Sequence, residues 1–318
     1  MNQNYRHARE AIQAAELLQE LGPIDTVRQA VALFENVGMP ARNLSSRTRT
    51  EYSNDLADLL SFLEARGITK LSGVSLPHLE EYQAELDHRG QRSSTRNRKT
   101  HSIKTFFSFL DRHGVLQNNP ALQLIPPRAN KKEPRYLSEE EYRRLLRSCS
   151  HNARDAAMIE VFLQTGMRLS ELANLTIEDL ELPTRITRDP DNTGAATVRR
   201  KGGKLVTIPL NYKACQSLAS WLRVWPKVGH PQVFISKFHT PISPRAIQYT
   251  ITGYLHEAGI SGASVHTLRH TMATHHVARG TDLKTVQETL GHASLQTTTI
   301  YVQLAKKAQR KALQEHAL

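Results

Sequence analysis

Cysteine is scarce in this chain. Cys149 and Cys215 are the only two among 318 residues, far apart and outside any C-x-x-C spacing. A disulfide or thiolate-zinc framework is thereby disfavoured, and a reducing compartment fits. Long apolar runs are also missing; none approaches the ~18 residues that would suggest a membrane span. The opening stretch, MNQNYRHAREAIQAAELLQE, is polar and amphipathic and has no apolar centre of signal-peptide type. A soluble, cytoplasmic protein is expected. Neither an internal repeat nor a low-complexity tract is visible. What is present, 39% hydrophobic residues in 318, suits a globular chain with room for two cores.

Charge is plentiful and unevenly placed. The formal net charge is +12, from 42 Lys+Arg against 30 Asp+Glu. Residues 1–130 hold 16 basic and 14 acidic side chains, a net of +2, and residues 131–318 hold 26 and 16, a net of +10. The C-terminal part is therefore the better electrostatic footprint for a polyanion. Charge by itself leaves a solvated basic surface equally open.

Two short helices are expected over 6–21 and 24–37, broken at Gly22-Pro23. Residues 1–40 carry three arginines, no lysine and five acids, a net of −2, which argues for packing or protomer contact rather than a DNA-binding arm. Leu56, Leu59, Leu60 and Leu63 recur at helical spacing within 45–66, and Gly67 follows as a stop. A further helix is expected over 76–89. Another spans 93–112, with Arg92, Arg96, Arg98, Lys99 and Lys104 early and then Ile103, Phe106, Phe107 and Leu110. Its apolar half should anchor it. Its basic half should face outward, either tracking phosphates or simply solvated.

PPRANKKEP at 126–134 reads as an extended linker. Ser138 with Glu141 then forms a capping-box pattern that opens a second domain. The organisation expected is a helical extension (1–40), a helical domain (41–125), the linker (126–134) and a second domain with a tail (135–318). Helices follow near 138–148 and 153–165, with a short one after Arg168. Thr197-Val198-Arg199 and Leu205-Val206-Thr207-Ile208 are β-prone and flank Lys201-Gly202-Gly203-Lys204, which reads as a hairpin turn. Helices resume at 211–224, 243–258, 266–279, 282–290 and 294–302, with a last one to about 316.

Six polar residues in this second half suit one reaction. They are Arg168 in TGMRLSEL, Lys201 in VRRKGGK, His266 and Arg269 in HTLRH, His292 in TLGH and Tyr301 in TTTIY. A tyrosine hydroxyl could attack a DNA phosphodiester, two arginines could neutralise its non-bridging oxygens, a lysine could protonate the departing 5′ oxygen and a histidine could move the tyrosine's proton. Singly, each has a blander explanation: a surface ion pair, a polar turn, a packed tyrosine. A metal is disfavoured, because the position after His266 is Thr267 rather than the Glu of H-E-x-x-H.

Jointly, the order Arg, Lys, His-x-x-Arg, His, Tyr resembles the tyrosine recombinase (phage integrase) family. TGMRLSEL and HTLRHTMATHH are similar to its two arginine boxes, and LGHASLQTTTIY to its third box with the nucleophile. VRRKGGKLVTIPL resembles its lysine-bearing β-hairpin. The resemblance covers about 135–303 and, more weakly, 45–115. It implies a mainly α fold: a helical, SAM-like core-binding domain, then an α+β catalytic domain with a small antiparallel sheet, the two clamping a duplex.

The resemblance further implies that Tyr301 is the nucleophile and His266 its proton acceptor. Arg168 and Arg269 would grip the scissile phosphate, His292 would donate a hydrogen bond to it, and Lys201 would be the general acid, with Lys204 as rival. Glu171 and His270 would support, the one orienting Arg168 and the other bracing the active-site helix. Arg92, Arg96, Arg98, Lys99, Lys104 and Lys204 are the DNA-contact candidates. The expected product is a 3′-phosphotyrosyl link with a free 5′ hydroxyl, formed without metal, ATP or other cofactor. The expected partners are a double-stranded recombination site and further copies or close homologues, as a tetramer on two sites. The tail after Tyr301, with Leu304, Ala308 and Leu313 on one stripe, would dock on a neighbour, and the enzyme would work at the nucleoid.

The 26 residues from His266 to His292 leave no room for an integron integrase's extra helix. A simple Xer-like or mobile-element enzyme for integration, excision or resolution remains. The alternatives are a type IB-like topoisomerase and a sequence-specific DNA-binding regulator without catalysis.

Overall fold

The computed structural model describes residues 23–128, 133–200, 203–291 and 298–315. The helix expected over 6–21, the turn residues Lys201 and Gly202, and His292 lie outside these. The chain divides into two compact units, Met1–Lys132 and Glu133–Leu318.

In the first unit, α1 (Val27–Leu33) starts at a Thr26–Gln29 capping box. It passes through a wider π-type turn at Phe34–Gly38 into one further turn, Met39–Ala41. Helices α2 (Ser46–Glu64), α3 (Leu76–His88) and α4 (Ser93–Arg112) follow. The core joins Leu56, Leu59 and Phe62 of α2, Tyr82 of α3, and Ile103, Phe106 and Phe109 of α4. Val27, Ala30, Phe34 and Val37 enter the same core, so the boundary expected at residue 40 runs through it. Gly38 packs tightly against its surroundings: a Cβ there would lie 2.4 Å from the Phe34 ring and 3.0 Å from Phe109 of α4.

The basic half of α4 departs from expectation. Lys99 is buried, with its ammonium on Asp58. Arg98 pairs with the buried Asp55, Arg96 bonds Asp87 at 2.8 Å, and Lys104 donates to the carbonyls of Leu122 and Leu124 at 2.9 and 2.8 Å. Of the five cations, Arg92 is the one exposed as a whole residue, while the Arg98 side chain is 40% exposed. The cause is charge pairing across helices. Asp55 and Asp58 lie one turn apart on α2, beside its apolar stripe, and draw the cations of α4 inward.

The second unit opens with α5 (Glu139–Cys149), begun by the Ser138–Glu141 capping box. Helix α6 (Ala153–Thr165) is buried over most of its length and ends at Gly166, whose φ of 61° is the left-handed cap. A short α7 (Leu169–Ala173) leads to an antiparallel sheet of β1 (Leu180–Glu181), β2 (Gly194–Arg199) and β3 (Leu205–Leu210), in that order. Thr197 faces Thr207 and Arg199 faces Leu205 across the hairpin. The two-residue β1 was not expected.

Helices α8 (Tyr212–Arg223), α9 (Pro244–Glu257), α10 (Val265–Ala278), α11 (Leu283–Leu290) and α12 (Ile300–Glu315) complete the unit. Both α8 and α10 pack on α6, and α12 packs on α10. Helix α12 runs unbroken from the end of the expected 294–302 helix into the tail. Leu304 of the tail stripe is buried with Met272, Val286, Leu290 and Tyr301; the side chains of Ala308 and Leu313 lie outside the described residues. The fold is thus mainly helical with a small antiparallel sheet. Among the described residues, no helix is long and apolar enough to cross a membrane.

Candidate active site

An α-helix leaves its last four carbonyls without intrahelical partners. At the end of α11 four consecutive carbonyls receive guanidinium donors from three separate places in the chain. Arg200 donates to Glu288 O at 2.9 Å and to Thr289 O. Arg269 donates to Leu290 O at 2.6 Å, and Arg168 to Gly291 O at 2.8 Å. The negative end of the helix dipole favours cations here.

Each guanidinium has a further anchor. Arg168 caps α7; its backbone N–H and its Nη1 donate to the two oxygens of Glu171, at 2.9 and 2.7 Å. Glu171 is buried and also lies 3.6 Å from Arg200 Nε. Arg269, on α10, donates its other arm to the carbonyl of Gly166, the left-handed residue closing α6. Burial, and then the charge of Arg168, hold Arg269 down to about 10, so it stays protonated at neutral pH. Arg200 is likewise lowered, first by burial, with Glu171 opposing and Arg168 adding to the shift. Arg168 is the open member, its side chain 39% exposed.

Tyr301, on the first turn of α12, is 1% exposed. Its hydroxyl lies 2.9 Å from His270 Nδ1, one residue past Arg269. Burial raises the Tyr301 phenol, an effect the nearby Arg269 charge partly offsets. His270 is lowered by burial, then by His266 and Arg269, which favours its neutral ring. His266 sits one turn earlier on α10 and is exposed.

The structure therefore brings together Arg168, Glu171, Arg269, His270 and Tyr301. Lys201 and His292 lie outside the described residues. Lys204 is exposed beside the turn, its carbonyl accepting from Arg200 N at 2.8 Å. Arg200 was not foreseen. Strand alternation could have revealed it, since Ala196 and Val198 are buried, Arg199 is exposed, and residue 200 returns to the inner face. Two glycines were also missed. A Cβ on Gly166 would lie 2.5 Å from Met272 Cε, and one on Gly291 would lie 2.3 Å from Arg200 Nη1.

Residues 135–308 match the phage integrase family, and residues 32–114 match the phage integrase N-terminal SAM-like domain. The chain is 32% identical over 271 residues to tyrosine recombinase XerC of Pseudomonas entomophila (strain L48), covering 83% of this chain and 87% of the relative. It is 32% identical over 290 residues to tyrosine recombinase XerD of Vibrio vulnificus (strain YJ016), covering 86% and 90%. Among solved structures, the pre-cleavage complex of XerH site-specific recombinase bound to difH substrate aligns with a TM-score of 0.65 at 26% identity, over 85% of this chain and 80% of that one. A lambda integrase dimer bound to a COC′ core site shares the fold, with a TM-score of 0.70 at 15% identity over 90% and 80%. With one family matching both units and these relatives spanning most of its length, the chain belongs to the phage integrase family of tyrosine recombinases, enzymes that cleave and rejoin DNA strands.

Proposed function

We propose that this chain recombines specific DNA sites by attack of Tyr301 Oη on a scissile phosphodiester. The P–Oη bond forms as the bond to the 5′ oxygen breaks, giving a 3′-phosphotyrosyl link and a free 5′ hydroxyl. The bond energy is kept, so a 5′ hydroxyl from a partner strand reverses the step and joins new DNA. Arg168 and Arg269 hold the non-bridging oxygens through paired donors, a geometry lysine does not reproduce. Lys201 protonates the 5′ oxygen, with Lys204 as the rival on the same turn, and His292 donates to the phosphate.

Tyr301 rests on His270 and is almost wholly covered. The first turn of α12 therefore shifts to present the hydroxyl to a duplex. His266, exposed at the start of α10, then takes the proton. The helical unit whose core runs from Val27 to Leu124 serves as the core-binding domain, 126–134 as the linker and 135–318 as the catalytic domain. The XerH complexes with difH substrate, and a lambda integrase tetramer on a Holliday junction, support a tetramer of this chain or a close homologue on two duplex sites at the nucleoid, in the cytoplasm.

The observation that carries this reading is the seating of Arg168 and Arg269 on adjacent carbonyls of α11, beside Tyr301. Short nicked duplexes tiled over the DNA flanking the gene, incubated with the chain and run under denaturing conditions, test it. An adduct formed by the wild type and not by Tyr301→Phe is expected, and it maps the cleavage site. Specific binding without any adduct would overturn the reading.

A further inference from the structure

Arg200 has a place in two structures at once. Its backbone closes the hairpin turn: Arg200 N–H donates to Lys204 O at 2.8 Å, and Gly203 N–H donates to Arg200 O at 3.0 Å. Its side chain leaves the hairpin and forks onto Glu288 O and Thr289 O, the two carbonyls preceding those that hold Arg269 and Arg168. The side chain is 10% exposed, and its Nε is buried facing Glu171, the carboxylate that orients Arg168. It passes so close to Gly291 that a Cβ at that position would lie 2.3 Å from its Nη1, so a side chain there would displace the guanidinium. A buried arginine brought next to two others is costly in charge repulsion. General packing does not require it; an apolar residue would cover the same ground.

We infer that Arg200 is a positioning residue that fixes the lysine-bearing hairpin turn to the phosphate-binding end of α11. The inference rests on the recombinase reading above. Arg200 directly precedes Lys201 in the chain and closes the turn that ends at Lys204, so anchoring it sets the direction from which a turn lysine meets the departing oxygen. Two forked bonds to a helix end define that direction better than one contact, and a misplacement of about 1 Å at a reacting group costs on the order of 10²-fold in rate.

The test compares two nicked duplexes carrying the mapped cleavage site. One has the natural 5′ oxygen at the scissile bond and the other has sulfur in its place. A thiolate, with a pKa near ~8.5 for the free thiol, leaves without being protonated, so a misaimed general acid no longer matters. Single-turnover adduct formation is measured for wild type, Arg200→Ala and Arg200→Lys on both. Arg200→Ala is expected to lose about 10²-fold on the oxygen duplex and less than about threefold on the sulfur duplex, with Arg200→Lys in between. The ratio between duplexes is taken within one preparation, so partial unfolding does not alter it. Equal losses on both duplexes would overturn the inference and leave the recombinase reading standing. A wild type that forms no adduct on either would overturn that reading and the inference with it.

Discussion

Replacing Lys99 by methionine separates the two fates open to a cation on α4. The ammonium sits on Asp58, which also accepts from Tyr82 Oη at 2.8 Å and Arg89 Nη1 at 3.0 Å. Burial pushes Asp58 up, but the hydrogen bonds from Lys99 and Tyr82 more than offset this, and its net shift is downward. Breaking a fully buried pair costs about 3–5 kcal/mol and an exposed one about 0–1 kcal/mol. The Asp58 side chain is 26% exposed and keeps two donors, while methionine keeps the packing of the aliphatic stem. A loss of about 1–3 kcal/mol follows. In a unit of this size that lowers the melting temperature by roughly 3–5 °C per kcal/mol. Scanning calorimetry of the full chain should show the first unit's transition moving down. The logarithmic salt slope of duplex binding should stay put, because Lys99 neutralises no phosphate. Arg92→Ala is the counterpart: unchanged melting and a salt slope smaller by about 1. A Lys99→Met protein with native melting and a slope smaller by one would refute the assignment of Lys99 to the core.

Tyr301→Phe should abolish the covalent adduct while leaving duplex affinity, read on native gels, within about twofold, since one hydrogen bond of about 1 kcal/mol is lost inside the protein; equal loss of binding would remove Tyr301 from the chemistry. Burial lowers both His270 and His276 from 6.5. A depressed folded value contributes stability that is present above 6.5 and lost as pH falls through that lower value. The second unit's melting temperature should therefore fall between pH 7 and 5, and His270→Gln should flatten the profile. Gly166→Ala combines a φ of 61° with a Cβ 2.5 Å from Met272 Cε. It should cost about 2–4 kcal/mol by denaturant unfolding and weaken the seat of Arg269; a neutral effect would mean that α6 ends differently.

The helices were legible because their apolar residues recur at helical spacing, as in 45–66, and because a cap is written out at Ser138–Glu141. The hairpin was legible because β-prone runs flank a glycine pair. What stayed hidden depends on partners remote in sequence. The cations of α4 read as an outward face, solvated or tracking phosphates, because Asp55 and Asp58 stand about 40 residues away, on a helix whose packing against α4 no local pattern reveals. His266 and His270 share a face of α10 by spacing alone. Only the path of α12 decides that the second one meets Tyr301. Strand β1 is two residues long, too short for any period.

The site also explains its own tolerance for charge. Arg168, Arg200 and Arg269 crowd the end of one helix, and Glu171 supplies a single opposing carboxylate. A helix C-terminus carries about −0.5 of an elementary charge. Three cations, one carboxylate and that partial charge leave a surplus of about 1.5 positive charges. Burial is the main cause of the lowered pKa of Arg269, and the charges of Arg168 and Arg200 add to it. A phosphodiester brings one negative charge, and its pentacoordinate transition state gathers more on the non-bridging oxygens. On the proposed recombinase reading, the repulsion among the arginines would be relieved on binding and relieved further as the reaction proceeds, which is the condition for stabilising a transition state beyond the ground state. Since α11 and Glu171 hold the cations in place beforehand, little of that gain is spent on bringing them together.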